Sequence, residues 1–335
     1  MESRVILFGF KSNIFFRRIV AISGIRGIGY LEDSNFGRLF GFLKRLRLLF
    51  VIKLCRAFLL TLRVRNFNTL NFYYLNREAE ILVHLNRRKN IIITTYGTDY
   101  LVYNPAIVSI KHMVNRWVVS TTTGKETLIK LYGICDDIIS VIPFGIDSIK
   151  GSRKSWWVGE QVICIGNNGS SRQNHVQILE WFRSFKEFFP KNTRIVLPMT
   201  YGLSKDYYDE CKRLLEKLSI SYNILTEYLS DDEMSAFHDS VDIYINNQPT
   251  DVLSGFMLSQ LNRGSVVIVN SDLRYPELTD WGIHITYYGQ CNELQKALQD
   301  FCFLRAKSSV NIDKLSDKFG WYTCTSSYQR LWDSI

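Results

Sequence analysis

The run Ile163-Cys164-Ile165-Gly166-Asn167-Asn168-Gly169-Ser170-Ser171-Arg172-Gln173-Asn174-His175 constrains this chain more than any other segment. An apolar strand pattern, Gln161 to Ile165, enters a loop of glycines and small amides, and a helical pattern, Val176 to Phe189, leaves it. That order turns backbone N–H groups and the positive end of a helix toward one spot, which suits a phosphate or diphosphate. The alternation continues. Strand patterns at Arg194–Pro198, Ser221–Leu225, Asp242–Asn246, Ser265–Asn270 and Ile283–Tyr287 interleave with helical patterns at Asn174–Phe189, Lys205–Leu218, after Ser230, at Val252–Leu261 and at Pro276–Trp281. Apolar strands alternating with helices predict a parallel sheet covered on both faces.

The first half repeats the theme less cleanly. Strands are expected at Val5–Phe10, Arg18–Ile22, Asn90–Thr95, Trp117–Ser120 and Asp137–Ile142, and helices at Asn76–Leu85, Pro105–Asn115 and Lys125–Leu131. A polar, turn-rich stretch from Pro143-Phe144-Gly145 to Ser155 marks the domain boundary. With 335 residues and 46% apolar content the chain is long enough for two α/β cores. The expected domains are 1–150, 151–320 and a C-terminal helix, 321–335, able to cross back to the first. Two such lobes in tandem predict a cleft between the carboxyl ends of the strands, where open α/β sheets bind ligands.

The net charge of +9 calls for an anionic partner. Between Ser34 and Arg77 there are nine basic residues and no acid. The apolar core of that segment, Leu39 to Leu62, carries Lys44, Arg45, Arg47, Lys53 and Arg56, too many charges for a membrane span. Arg38, Arg45, Arg56 and Arg63 are spaced by 7, 11 and 7, one face of a helix. Such a helix suits the surface of an anionic membrane, each basic residue adding roughly 1 kcal/mol. An ordinary amphipathic helix of the first domain fits the same pattern. The basic residues mix with Leu and Ile rather than with base-stacking aromatics, which argues against nucleic acid. The seven cysteines have no CxxC spacing, so neither a disulfide frame nor a zinc site is expected, and Cys164 reads as a small core residue. Asp136-Asp137 and Asp231-Asp232 lack a metal-site context, and no essential metal or cofactor is expected. The amino terminus reads as a buried strand rather than a signal peptide.

Four loops carry candidate chemistry. In the first, Gly166 permits close backbone approach, Ser171 or Asn174 can cap the following helix, and Asn167, Asn168 and His175 offer donors to a diphosphate. The second, Pro198-Met199-Thr200-Tyr201-Gly202, ends a neighbouring strand, and Tyr201 can bond a phosphate or stack on a base. The third, Asn246-Asn247-Gln248-Pro249-Thr250-Asp251, offers amides, a hydroxyl and a carboxylate to sugar hydroxyls, with Thr250 or Asp251 alternatively capping the next helix. The fourth, Tyr96-Gly97-Thr98-Asp99-Tyr100, lies in the first half. There Asp99 fits a general base on an acceptor hydroxyl, a cap, or an ion-pair partner.

These motifs resemble those of the bacterial 4-acetamido-4,6-dideoxygalactose (Fuc4NAc) transferases of enterobacterial common antigen synthesis. Gly166-Asn167-Asn168-Gly169 through Asn174-His175 is similar to that family's G-N-S-x-x-x-x-N-N-H, with Asn168 in place of the Ser and Gln173 in place of the first Asn of N-N-H. Leu197-Pro198-Met199-Thr200-Tyr201-Gly202 is similar to its P-L-S-Y-G, and Gly97-Thr98-Asp99-Tyr100 to its G-x-D-x-Y. Asn247-Gln248 stands where the family has R-Q-Q, and only Gln248 matches. Many sugar-nucleotide transferases carry a Glu, and a second Glu eight residues on, where this chain has Asp251 and Ser259. The resemblance spans about Ile91 to Ile268. It implies a GT-B fold of two Rossmann-like domains with a cleft. It further implies a metal-independent glycosyltransferase moving a sugar from a nucleotide diphosphate donor, dTDP-Fuc4NAc in that family, to a polyprenyl-diphosphate-linked glycan. Such an enzyme works at the cytoplasmic face of the inner membrane in O-antigen or common antigen synthesis. Gly166, Asn167, Asn168, Ser171, Asn174, His175, Tyr201, Gly202, Asn247, Gln248, Thr250 and Asp251 would bind the donor, with His175 stabilising the leaving nucleotide and Asp99 taking the acceptor proton. A non-catalytic module binding phosphorylated ligands is the alternative.

Overall fold

The computed structural model describes residues 4–30, 48–97, 99–146 and 159–335. The chain divides into two compact units, Met1–Gly145 with Trp321–Ile335, and Ile146–Gly320.

The first unit holds six parallel strands: β1 (Val5–Gly9), β2 (Gly27–Gly29), β3 (Thr69–Tyr73), β4 (Asn90–Thr94), β5 (Arg116–Val119) and β6 (Ile139–Val141), in the order β2-β1-β3-β4-β5-β6. Among the described residues five helices connect them: α1 (Ile14–Ser23), α2 (Leu48–Arg63), α3 (Arg77–Leu85), α4 (Pro105–Ile110) and α5 (Thr122–Tyr132). Asn13 caps α1 by accepting the Phe16 N–H, and Gly24, at φ +67°, ends it in the left-handed conformation that glycine tolerates. The C-terminal helix, Trp321–Asp333, packs Cys324, Tyr328, Leu331 and Trp332 into this unit's core, beside Phe15, Phe16 and Ile19 of α1.

One expectation fails here, and one strand was not expected. Arg18–Ile22 lies in α1 rather than in a strand, because Phe15, Phe16 and Ile19 recur at helical spacing and all three reach the core. β3 was hidden because Thr69 and Asn71 read as polar. Both are fully buried, and Asn71 Oδ1 accepts the Thr94 hydroxyl across the sheet.

The second unit holds β7 (Gln161–Ile165), β8 (Thr193–Pro198), β9 (Ser221–Leu225), β10 (Ile243–Asn246), β11 (Val266–Asn270) and β12 (Thr286–Tyr288), again all parallel, ordered β9-β8-β7-β10-β11-β12. Counted from β7, this is the 3-2-1-4-5-6 order of a doubly wound nucleotide-binding sheet, whose direction of winding reverses between β7 and β10. Helices α6 (His175–Ser184), α7 (Lys205–Leu218), α8 (Asp231–Ser240), α9 (Gly255–Asn262), α10 (Pro276–Asp280), α11 (Cys291–Gln299), α12 (Phe301–Ser308) and α13 (Asn311–Phe319) complete the unit. Ser230 and Glu233 form a reciprocal capping box at the start of α8. Ile163, Ile195, Ile243 and Ile268 form the centre of a core that α6 and α7 seal with Ile178, Leu179, Phe182 and Leu215. Cys164 is fully buried in β7. The last strand begins at Thr286, three residues later than expected.

Of the basic residues expected on a surface helix, Arg38, Lys44, Arg45 and Arg47 lie outside the described residues. Lys53, Arg56 and Arg63 lie on α2. Arg56 departs from the expectation of a lipid contact. Its guanidinium donates to Glu78 Oε1 and to the Gly29 carbonyl, both at 2.5 Å, and Glu78 is buried. A buried carboxylate needs that partner, so Arg56 serves the fold. What α2 leaves open is mostly apolar: Phe50, Val51, Leu54, Phe58, Leu59 and Leu62 are all exposed, Leu59 to 64%, beside Arg63. No helix among the described residues is long and apolar enough to cross a membrane.

Candidate functional site

The carboxyl ends of β7, β8 and β10 bring most of the expected donor residues together in one hydrogen-bonded network. Tyr201 accepts the Gly169 N–H through its carbonyl at 2.8 Å, tying the β7 loop to the β8 loop. Asn168 Nδ2 donates to Asn167 Oδ1 at 2.7 Å and reaches the Tyr201 hydroxyl at 3.5 Å. Asn174 and Asn247 exchange side-chain-to-carbonyl bonds at 3.2 and 3.4 Å, and Gln173 Nε2 donates to Gln248 Oε1 at 3.0 Å. Asn247 is the buried hub. It donates to Gln177 Oε1 and accepts from the Tyr288 hydroxyl, each at 2.8 Å, and accepts from Asn270 Nδ2 at 3.1 Å. Asp251 Oδ2 accepts the Tyr275 hydroxyl at 2.7 Å and Asn246 Nδ2 at 3.0 Å, while burial pushes its carboxyl above the ordinary range. Leu253 takes φ +60° in the same loop, a strained conformation for a leucine that costs roughly 1–3 kcal/mol and persists only where its surroundings enforce it.

The loop after β7 differs from the expected cradle of free N–H groups. Most of those groups are spent inside the protein. Gly166 N–H goes to the Ile245 carbonyl, Asn167 N–H to Gln173 Oε1, Ser170 N–H to Asn168 Oδ1, and His175 N–H to the Tyr207 hydroxyl. Neither Ser171 nor Asn174 caps α6 through its side chain. Ser170 caps the preceding turn, and Asn174 itself is left-handed at φ 53°. Likewise Ser254, not Thr250 or Asp251, caps α9. The loop therefore presents side chains outward: Asn168, Ser171 and Arg172. Arg172 was not among the expected donor residues. Its exposed guanidinium donates to Thr250 Oγ1 at 2.6 Å, so a positive charge bridges the β7 and β10 loops where the sheet's winding reverses. A lone arginine inside a glycine–asparagine loop was the available signal.

Two expected catalytic residues are placed differently from what their proposed roles need. His175 is 0% exposed, and its Nδ1 lies 3.2 Å from the Tyr207 hydroxyl. Nε2 makes no hydrogen bond of good geometry among the described residues. Burial pulls the ring down to about 4, which the neighbouring Ile165 carbonyl offsets only in part, so the imidazole is neutral at pH 7. Gly166 makes room for it: a Cβ there would stand 2.5 Å from Nε2. His175 thus packs beneath the loop instead of donating to a ligand above it.

Asp99, in the first unit, is 2% exposed. Its Oδ1 accepts the N–H groups of Tyr96 and Gly97 at 2.9 and 3.0 Å, and its Oδ2 accepts the Leu75 N–H at 3.2 Å. Burial raises the carboxyl to about 6 against the pull of those bonds. The carboxylate clamps the loops after β3 and β4 together, which departs from a base open to an acceptor hydroxyl. Thr98 lies outside the described residues. Among the described residues no group of three or more His, Cys, Asp or Glu side chains is arranged to hold a metal ion.

No known family profile matches the chain, and no curated protein sequence does. Solved structures do. A glycosyltransferase from Rickettsia africae ESF-5 is 12% identical with a TM-score of 0.73, covering 100% of this chain and 99% of that one. HepE of Anabaena, in complex with UDP and glucose, is 11% identical with a TM-score of 0.71 and full coverage of both chains. A UDP-forming α,α-trehalose-phosphate synthase from Burkholderia xenovorans is 7% identical with a TM-score of 0.72, covering 99% of each. Two parallel six-stranded sheets with alternating helices, matched over the whole length to these chains, make the fold GT-B, with two Rossmann-like domains.

Proposed function

We propose that this protein is a glycosyltransferase that takes a sugar from a nucleotide diphosphate and passes it to a glycan carried on a polyprenyl diphosphate. The observation that carries the reading is the network at the reversal point of the second sheet, with Arg172 facing outward beside amides and the Asp251 carboxylate. A nucleotide sugar needs a positive charge for its diphosphate and amides or a carboxylate for its hydroxyls, and both are present at one strand edge. In this reading Arg172 meets charge building on the leaving nucleotide without a bound metal. The likeness to HepE, seen with UDP and glucose, supports a nucleotide-linked donor. The motif resemblance favours a dTDP-linked, Fuc4NAc-like sugar, used in O-antigen or common antigen synthesis.

Replacing Arg172 tests the site. Losing a charge-assisted bond weakens binding by about 10- to 100-fold. Arg172→Ala is therefore expected to raise the dissociation constant for UDP-, dTDP- or GDP-sugars by that factor, read by thermal shift, with urea unfolding unchanged because the side chain is exposed. Wild-type nucleotide affinity in the variant sinks the assignment. Nucleotide binding without any transfer to a lipid-linked acceptor favours the non-catalytic alternative.

Membrane association at the cytoplasmic face of the inner membrane belongs to the same proposal. Its support is the exposed apolar stripe of α2 with Lys53 and Arg63 at its flanks and no acid on the helix. Because the stripe is aliphatic and aromatic, its insertion is chiefly hydrophobic. The double variant Leu59→Asp/Leu62→Asp should lower partition onto phosphatidylglycerol vesicles by about 100-fold, while Arg56→Gln should act mainly on stability. Equal sedimentation of the double variant with vesicles would refute the face assignment.

A further inference from the structure

The first sheet carries an aromatic rim at its carboxyl edge. Phe10 follows β1, Tyr30 follows β2, Tyr74 follows β3, Tyr96 lies just beyond β4, and Phe144 lies just beyond β6. Taken in the spatial order of the strands, neighbouring rings touch. Tyr30 and Phe10 stand 5.2 Å apart, Phe10 and Tyr74 5.4 Å, Tyr74 and Tyr96 6.4 Å, and Tyr96 and Phe144 5.6 Å. Phe15 then continues the row inward to Trp321 of the C-terminal helix. Tyr96, Phe144 and Trp321 pack on the core of this unit, whereas Phe10 and Tyr74 stand outside it; these rings are partly open to solvent, while Tyr30 is buried.

Three further observations separate this rim from ordinary core packing. First, winding of this sheet reverses between β1 and β3, so Phe10 and Tyr74 flank the point at which open α/β sheets take ligands. Second, Tyr74 is held at φ +77°, by its N–H to the Thr94 carbonyl and by the Tyr30 hydroxyl on its own carbonyl, a backbone cost that packing alone does not require. Third, Asp99 spends both carboxylate oxygens on the loops that bear Tyr74 and Tyr96, which makes it the positioning residue of the rim.

We infer that the rim is a platform for the pyranose rings of a carbohydrate. The inference rests on the glycosyltransferase reading for its biological role, the platform then holding the glycan of the acceptor. The chemistry favours sugar over lipid. A pyranose has one face of C–H groups, which suits the negative face of an aromatic ring, and hydroxyls at its edge, which suit tyrosine hydroxyls. Three of the five rim rings are tyrosines; the Tyr30 hydroxyl is spent on the Tyr74 carbonyl and the Tyr96 hydroxyl is buried, so the Tyr74 hydroxyl is the one placed to meet a sugar's edge. Among the described residues a stripe of exposed aliphatic side chains of this unit lies on α2. Arg56 of α2 bonds the Gly29 carbonyl, next to Tyr30, so that helix adjoins the Tyr30 end of the rim. A lipid-linked glycan would lie with its lipid toward α2 and its sugars along the rim.

The test uses octyl glycosides of glucose, galactose, mannose and N-acetylglucosamine below their micellar concentrations, with farnesyl phosphate as the lipid control. Saturation-transfer NMR should pass magnetisation from aromatic protons to pyranose C–H protons of at least one glycoside. Tyr74→Gly removes the ring and suits the positive φ. It should bind that glycoside about tenfold more weakly, with thermal shifts for UDP- and dTDP-sugars unchanged. Should Tyr74→Gly lose its unfolding transition, Phe144→Leu repeats the comparison with the apolar volume largely kept. Transfer confined to octyl or farnesyl protons, no glycoside signal at all, or unchanged glycoside affinity in a folded variant overturns the platform. A glycoside signal that responds to the variants, in a protein that binds none of the nucleotide sugars, upholds the platform and sinks the glycosyltransferase reading instead.

Discussion

At pH 5 the second unit is expected to be about 4 kcal/mol less stable than at pH 7. Two buried histidines cause this. His175 is held down to about 4 by burial, and His238 to about 3 by burial and then by the charge of Arg263. His238 Nδ1 lies 2.6 Å from the Gln260 side-chain amide, which in turn lies 2.9 Å from Ser265 Oγ, a hydroxyl that also bonds the Val241 carbonyl at 2.8 Å. Both groups have folded-state values below the unfolded value near 6.5, so their contribution is present in full above about pH 6.5 and is lost as pH falls toward 4 and 3. Each histidine contributes about half of the change, together close to a thousandfold in the folding equilibrium. Asp251, whose carboxyl burial also raises, offsets part of this loss in the second unit, and Asp99 works the other way in the first. Its folded value of about 6 lies above the unfolded one, so protonation adds about 1 kcal/mol as pH drops to 5. Urea unfolding at pH 7 and pH 5, followed by amide exchange in each unit, checks both signs. His238→Gln should remove about half of the acid loss. A second unit whose stability moves by less than about 1 kcal/mol between those pH values would show that these rings are not buried as described.

Gly166→Val is expected to cost about 4 kcal/mol. The residue is left-handed at φ +67°, where a side chain costs roughly 1–2 kcal/mol. An added Cβ would also meet His175 Nε2 at 2.5 Å and Gln173 Oε1 at 2.9 Å, and both of those side chains are buried and cannot swing away. Overpacking of that kind adds about 1–3 kcal/mol. The control is Gly255→Ala at the start of α9, where a Cβ meets nothing within 4 Å. Alanine suits a helix there and should stabilise by up to about 1 kcal/mol. Urea midpoints for the two variants decide it, and a loss under about 1 kcal/mol for Gly166→Val would remove the glycine's structural role.

The variants at Gly166, Arg172 and Tyr74 probe three layers of one strand-edge design. Gly166 lets His175 pack beneath the loop, Arg172 sets the charge above it, and Tyr74 belongs to the corresponding edge of the other unit. Loss of sugar affinity at Tyr74, in the other unit, would leave nucleotide affinity intact, whereas Gly166 and Arg172 share one loop and their readouts are coupled through Gln173.

The second unit could be read from its residues almost directly. Gln161–Ile165, Lys205–Leu218 and Ser221–Leu225 stand where apolar runs and helical spacing put them, because burial repeats at a local period. Asn167, Asn168, Asn174, Asn247 and Gln248 were identifiable as strand-end polar residues for the same reason, and their loops do meet. What each side chain does there was not local information. His175 and Asp99 have the residue types of catalysis, yet their burial is set by Tyr207, Leu75 and Gly97, two of them distant in sequence. Arg56 looked like a lipid contact until Glu78, twenty-two residues on, claimed its charge. β3 escaped notice because the hydrogen bonds that make Thr69 and Asn71 tolerable inside a sheet come from neighbouring strands. The chain's own pattern thus determined two doubly wound units and the loops at their edges. Only the order of strands in space, set by long-range packing, decided which charges pair, which acids are buried, and that five aromatic rings scattered from Phe10 to Phe144 stand in one row.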